Sequence, residues 1–148
     1  MATDRKADVV WQGDLMNGSG TIASVTSGAI GPLDVSWASR SEEPNGKTSP
    51  EELIAAAWAA CFSMALSSAL AKGGNPPEKL ETSAVVTLQP GIGITKGALT
   101  VRGTVPGLDE SGFREAAEGA KKNCPVSQAL SGIPDVTLDA TLAAGSSA

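Results

Sequence analysis

From Leu53 to Ala71 the chain carries no charged residue. A helix on a protein surface needs a polar face, and this stretch offers only serines and alanines between its larger apolar residues. Its ends are well marked. Ser49 is a good N-cap, and Pro50 stands at the first helical position, where its missing N–H costs nothing. Glu52, three residues after Ser49, completes a capping box, which leaves Glu51 without a capping role. Gly73-Gly74 ends the helix and Pro76-Pro77 prevents its return. The pattern predicts one long helix between Ser49 and Gly73, buried nearly all round. The run approaches the length of a membrane span. Cys61, Ser63, Ser67 and Ser68 interrupt it, however, and it is the sole such run, so a core helix is expected and no membrane partner. Its alanines let another helix approach closely, and the same helix of a second chain is one candidate.

At 148 residues the chain is expected to form a single domain spanning 1–148, large enough to bury roughly two-thirds of its unfolded surface. With two phenylalanines, three tryptophans and no tyrosine, the expected core is aliphatic. A net charge of −5 argues against a nucleic-acid partner, which would favour a basic face. No apolar run follows the basic residues of MATDRKAD, so no signal peptide is read and a cytoplasmic location is expected. The chain has two cysteines and no histidine. That excludes cysteine–histidine and serine–histidine catalysis, and two cysteines alone cannot fill a structural zinc site.

Taken in order, Ala7 to Gly13 and Gly20 to Thr26 read as the strands of a hairpin about Met16-Asn17-Gly18. Leu33 to Ser39 alternates as a third strand that ends at Arg40, and a polar loop, Ser41 to Thr48, leads to the long helix. Glu81 to Leu88 and Gly91 to Val105 are strands either side of a Pro-Gly turn; Gly91-x-Gly93 is too isolated to be a phosphate loop. Asp109 caps a second helix through Lys122, with Phe113, Ala116, Ala117 and Ala120 at helical spacing. Asn123-Cys124-Pro125 breaks it, Pro125 opens a short helix to Leu130, Val136 to Leu142 is a last strand, and Ala143 to Ala148 is expected to fray. Strands, helix, strands, helix, strand is an α+β order.

Four side chains could carry chemistry, and each has a plain alternative. Cys61 could be a small core hydrophobe. Cys124 precedes a proline that begins a helix, so its sulfur can lie near unpaired N–H groups that favour thiolate, or it can serve merely as an N-cap. Arg40 and Glu51 could be ordinary solvated charges.

The segments SPEELIAAAWAACFSMALSSAL, NCPVSQAL and VVWQGDLMNGSGTI, with Arg40 between them, resemble the osmotically inducible protein C (OsmC) family, related to the organic hydroperoxide resistance (Ohr) proteins. The likeness spans nearly the whole chain and favours OsmC proper. It implies a thiol-dependent peroxidase that reduces organic hydroperoxides in stress defence. Cys61 matches the peroxidatic cysteine, Cys124 the resolving cysteine, Arg40 the arginine that activates the thiolate, and Glu51 the glutamate that pairs with that arginine. No cofactor and no metal are implied. The implied fold is an intertwined homodimer, its central helices packed together inside wrapping, antiparallel-rich sheets. The implied reductant is a dithiol such as dihydrolipoamide. One departure is Trp58, where relatives often have histidine; it removes a nearby titrating group. Two other readings remain: a non-catalytic dimeric binder of small apolar molecules with redox-sensing cysteines, and an inert structural stress protein.

Physical chemistry sets conditions on the peroxidase reading. A thiol in an alanine-lined helix has a raised pKa, because burial disfavours its charged form, whereas attack on a peroxide needs thiolate. A guanidinium would supply the counter-charge, and a carboxylate would hold that guanidinium. The sulfenic acid first formed must then be trapped by a second thiol. Glu51 and Cys61 are ten residues apart, about 15 Å along a continuous helix, further than a glutamate side chain reaches. Two composite sites per dimer are therefore expected, each with both cysteines from one chain and Glu51, with Arg40, from the other.

Overall fold

A computed structural model describes residues 2–143, and apart from Ala143 the expected frayed tail lies outside them. The order is β1 (Ala7–Gln12), β2 (Ser19–Val25), β3 (Leu33–Val35), α1 (Trp37–Ser41), α2 (Pro50–Lys72), β4 (Lys79–Gln89), β5 (Gly93–Thr104), α3 (Glu110–Asn123), α4 (Pro125–Ala129) and β6 (Asp135–Leu142). This is an α+β fold with two three-stranded sheets and one long helix. The chain divides into two compact units, Met1–Leu53 and Ile54–Ala148, and α2 runs unbroken through the division.

In the first unit, β2 pairs antiparallel with both β1 and β3. Trp11 lies opposite Gly20 across the hairpin, and a Cβ on Gly20 would come within 2.7 Å of the indole. Ile22 is the buried apolar side chain of this sheet. The third strand is shorter than its alternation suggests. Ser36 leaves the strand to cap α1: its Oγ accepts from the Ser39 N–H, and the Ser39 Oγ accepts from the Ser36 N–H. That reciprocal pair outweighs strand propensity over 37–41. Arg40 therefore sits in the last turn of a short helix and not at a strand end.

In the second unit, β4 and β5 form a long antiparallel ribbon, and β6 joins β5 in parallel. A parallel neighbour needs a crossover, which α3 and α4 supply. β4 alternates strictly: Leu80, Ala84, Val86 and Leu88 turn inward and are half-buried, while Val85 is exposed. Asp109 caps α3 as expected, accepting from the Gly112 N–H, and Phe113, Ala117 and Ala120 form its buried face. From α2, Trp58, Phe62, Leu66 and Leu70 enter the same core.

Two expectations need correction. The aliphatic core is anchored by aromatics, since Trp58, Phe62 and Phe113 are its largest fully buried side chains. Few aromatics does not mean exposed aromatics; each covers a large apolar area when buried. Nor is α2 buried all round in the single chain. Its apolar run is long enough to cross a membrane by length and composition, but one stripe is buried and Met64 is 71% exposed. The stripe repeats every four residues, and the alanines and serines fill the other faces.

Gly103 marks a close approach: a Cβ there would lie 2.6 Å from Cε1 and Cζ of the buried Phe113 ring. Gly103→Ala is expected to lower unfolding stability by about 1–3 kcal/mol through overpacking, read as a lower urea midpoint at unchanged slope. An unchanged midpoint would show that the ring has room to move.

Candidate active site

Two side-chain pairs stand out, one in each unit. In the first unit, α1 aims Arg40 at the start of α2. Arg40 Nε donates to Glu51 Oε1 at 3.0 Å and Nη2 donates to Oε2 at 2.9 Å, a two-pronged contact. The carboxylate is nearly enclosed, with 8% of its side chain exposed against 34% for the arginine. A charge so buried would be costly without a partner. The hydrogen bond from Arg40 to Glu51 raises the arginine pKa, more than desolvation lowers it, so this cation is permanent. Among the described residues nothing accepts from Nη1, which leaves donors on the guanidinium for a further partner.

The loop that carries this pair is tied down locally. Ser39 Oγ lies 3.2 Å from the Thr48 carbonyl, and Thr48 Oγ1 donates to Glu52 Oε1 at 2.9 Å. The capping box at 49–52 is therefore only half made. Ser49 Oγ accepts from the Glu52 N–H, but the Glu52 carboxylate has turned to Thr48. Glu51 is free of capping, as its place in the sequence suggests, and is paired with Arg40.

In the second unit, Cys61 on α2 and Cys124 at the N-cap of α4 are free thiols whose sulfurs lie 2.8 Å apart. Cys124 is fully buried and Cys61 partly so. A disulfide bond spans about 2.05 Å, so a small side-chain movement closes it.

The environments of the two sulfurs differ. Burial pushes the Cys61 thiol up, and its contact with Cys124 pushes it further; a hydrogen bond from the Val126 amide offsets only part of this. Burial also pushes Cys124 up, but the hydrogen bond from Cys61, the amide and hydroxyl of Ser127 and the amide of Val126 together outweigh it, and its net shift is downward. With both thiols protonated, Cys124 donates to Cys61.

One feature of this site escapes the sequence pattern. Trp58, 1% exposed, donates its indole N–H to Ser127 Oγ at 2.7 Å. Trp58 stands three residues before Cys61 and Ser127 three after Cys124. Ser127 is at the third position of a proline-opened helix, where a side chain faces back to the cap residue; that spacing is the signal available in the sequence.

The model of the OsmC-like protein family matches residues 43–139. The peroxiredoxin OsmC of Escherichia coli (strain K12) is 43% identical over 142 residues, covering 94% of this chain and 96% of that protein. An organic hydroperoxide resistance protein of Xanthomonas axonopodis pv. citri (strain 306) is 33% identical over 97 residues, 62% of this chain and 65% of that one. Among solved structures, an organic hydroperoxide resistance protein OsmC from Legionella pneumophila matches with a TM-score of 0.65 at 25% identity, covering 93% of this chain and 96% of that one. An OsmC-like protein from Mycoplasma pneumoniae matches with a TM-score of 0.67 at 17% identity over 95% and 99% of the two chains, a likeness of fold.

The 2.8 Å contact makes a direct prediction. Stoichiometric diamide is expected to convert the reduced protein to a monomeric species with faster non-reducing gel mobility and no free thiol. Cys61→Ser and Cys124→Ser should each abolish that species. Disulfide-linked dimers as the main product would contradict the pairing.

Proposed function

Since the chain belongs to the OsmC family, and is a peroxidase, we propose that it reduces organic hydroperoxides to alcohols through an intramolecular Cys61–Cys124 disulfide. The observation that carries this reading is the approach of two free sulfurs to 2.8 Å across a separation of 63 residues. A pair of thiols kept for packing has no need of such a contact.

The steps follow from the chemistry of the residues. The Cys61 thiolate attacks one peroxide oxygen, the O–O bond breaks, and the leaving alkoxide takes a proton and departs as the alcohol. Cys61 is left as a sulfenic acid. The Cys124 sulfur attacks the Cys61 sulfur, hydroxide leaves with a proton as water, and the disulfide forms. A dithiol then returns both cysteines to the thiol state, donating two electrons. The apolar side chains packed about Cys61 favour an organic peroxide over the small, polar hydrogen peroxide.

The first step needs the negative charge on Cys61, whose thiol burial pushes up. Arg40 is the group assigned to reverse this. Held by Glu51, it offers a fixed cation that draws the thiolate to Cys61 and donates to the peroxide oxygens. Because α2 is unbroken, Glu51 and Cys61 of one chain are separated by about 15 Å of helix. The cation at each Cys61 is therefore assigned to Arg40 and Glu51 of the partner subunit in a homodimer. Exposed Met64 and Val85 in one unit and Val9 and Val10 in the other supply apolar surface for such an assembly.

A steady-state assay with cumene hydroperoxide and hydrogen peroxide side by side, driven by dihydrolipoamide or dithiothreitol, tests the reading. Faster turnover of cumene hydroperoxide is expected, with none in Cys61→Ser. Cys124→Ser should retain one stoichiometric oxidation and lose turnover. Arg40→Lys is expected to lower kcat/KM about tenfold, the equivalent of one charge-assisted hydrogen bond. An Arg40→Lys variant as fast as the unaltered protein would remove Arg40 from the mechanism, and absent turnover with either peroxide would remove the peroxide reading itself.

A further inference from the structure

The Trp58–Ser127 contact joins α2 to α4 and has no part in the chemistry described so far. Its two ends stand at matching places. Trp58 is three residues before Cys61 on α2, and residues three apart on a helix are neighbours on one face. Ser127 is three residues after Cys124, the cap residue of α4. The bond from the indole N–H to Ser127 Oγ, at 2.7 Å, and the sulfur contact, at 2.8 Å, therefore run side by side between the same two helices.

The two ends differ in how firmly the fold holds them. The indole is buried against β5, the middle strand of its sheet, where Gly97 leaves space for it: a Cβ there would fall 2.8 Å from Cη2 and Cζ3 of the ring. A tryptophan that served only as filler would not require its N–H to be delivered to one hydroxyl at 2.7 Å. The short helix α4 has much less to hold it. It is five residues long, none of them is fully buried, and Cys124 makes no side-chain capping bond to its first turn. A helix of that length has no stability of its own. Val126 and Leu130 rest half-buried against the core. Among the described residues, the bond from Trp58 is the side-chain hydrogen bond that fixes α4 beyond the sulfur contact at its cap. We propose that the Trp58–Ser127 bond is a clasp that docks α4 on α2 and keeps Cys124 within reach of Cys61 while the sulfurs themselves are not joined.

This role rests on the disulfide cycle proposed above. When Cys61 becomes a sulfenic acid its sulfur gains an oxygen, and the thiol contact of the reduced pair has to be remade. Cys124 Sγ must approach opposite the S–O bond, form its bond to Cys61 Sγ and expel hydroxide, which leaves with a proton as water. The indole bond uses neither sulfur, so it is available in the thiol, sulfenic and disulfide states alike. In the disulfide state the covalent bond holds α4 whether or not the clasp is present. In the two open states it is the clasp that sets the effective concentration of Cys124 at Cys61. Without it α4 can leave α2 in the open states and not in the closed one, which shifts the equilibrium toward the dithiol. Trp58 and Ser127 act through the placement of Cys124 and are positioning residues.

The test is an equilibrium measured without peroxide. The protein is incubated in dithiothreitol buffers of graded oxidised-to-reduced ratio, in which two electrons and two protons pass from Cys61 and Cys124 to the cyclic disulfide of the buffer, and the remaining thiols are trapped and counted. Ser127→Ala is expected to lower the equilibrium constant for disulfide formation about fivefold, the loss of one hydrogen bond. Trp58→Phe, which leaves Ser127 in place, should lower it by a similar factor, and Ser127→Thr, which keeps a hydroxyl, should stay near the unaltered protein. The double variant Trp58→Phe/Ser127→Ala should fall no further than either alone, because the same bond is lost in all three. A bond that only added stability would lower the urea midpoint and leave this constant unmoved. An unmoved constant in Ser127→Ala, or losses that add in the double variant, would overturn the proposal. No hydroperoxide is present, so that failure is distinct from an absence of peroxide turnover, which would strike the peroxidase reading.

Discussion

The contact between the sulfurs of Cys61 and Cys124 is the constraint from which the second unit is best understood. It requires the middle of α2 and the start of α4 to meet with sub-ångström tolerance. The fold meets that demand with rigid parts. The stripe Trp58, Phe62, Leu66 and Leu70 fixes α2 in the core, and the buried face of α3 fixes the turn from which Cys124 departs. Pro125 stops α3 from continuing and starts α4 with its cap residue beside α2.

Such proximity settles how two sulfurs can join, but not which of them is charged. Burial pushes both thiols up; the groups of Ser127 counter it at Cys124, whereas the Val126 amide counters it at both. Burial on a helix of alanines pushes the Cys61 thiol up. In the proposed cycle the more open sulfur is ionised by a cation brought to it. The Arg40–Glu51 pair has the character such a cation needs: it is fixed by two hydrogen bonds, held by an enclosed carboxylate, and has donors that no described residue takes up.

Much of this was legible in the residues. The limits of α2 follow from Ser49, Pro50 and the paired glycines and prolines, because each acts locally on the backbone. That Glu51 is free of capping followed from arithmetic, since Glu52 had the right spacing and Glu51 was left over; its pairing with Arg40 was implied by the family resemblance. The actual use of Glu52 was not legible, since Thr48 and Ser49 compete for it and the choice depends on the loop. The helix over Trp37–Ser41 was hidden for a related reason. Alternation of Leu33, Val35 and Trp37 fits a strand, and only the reciprocal bonds of Ser36 and Ser39 overrule it. The Trp58–Ser127 bond spans 69 residues, and no local pattern encodes a contact of that kind.

The central claim is that the cation which ionises Cys61 belongs to the other subunit. Co-refolding two inactive variants, Cys61→Ser and Arg40→Ala, measures it directly. In the mixed dimer, one site would combine an intact Cys61 from the second variant with an intact Arg40 from the first. Organic hydroperoxide turnover that reappears on mixing, with neither variant active alone, is the predicted result. A mixture as inactive as its components, with mixed dimers shown to be present, would contradict it.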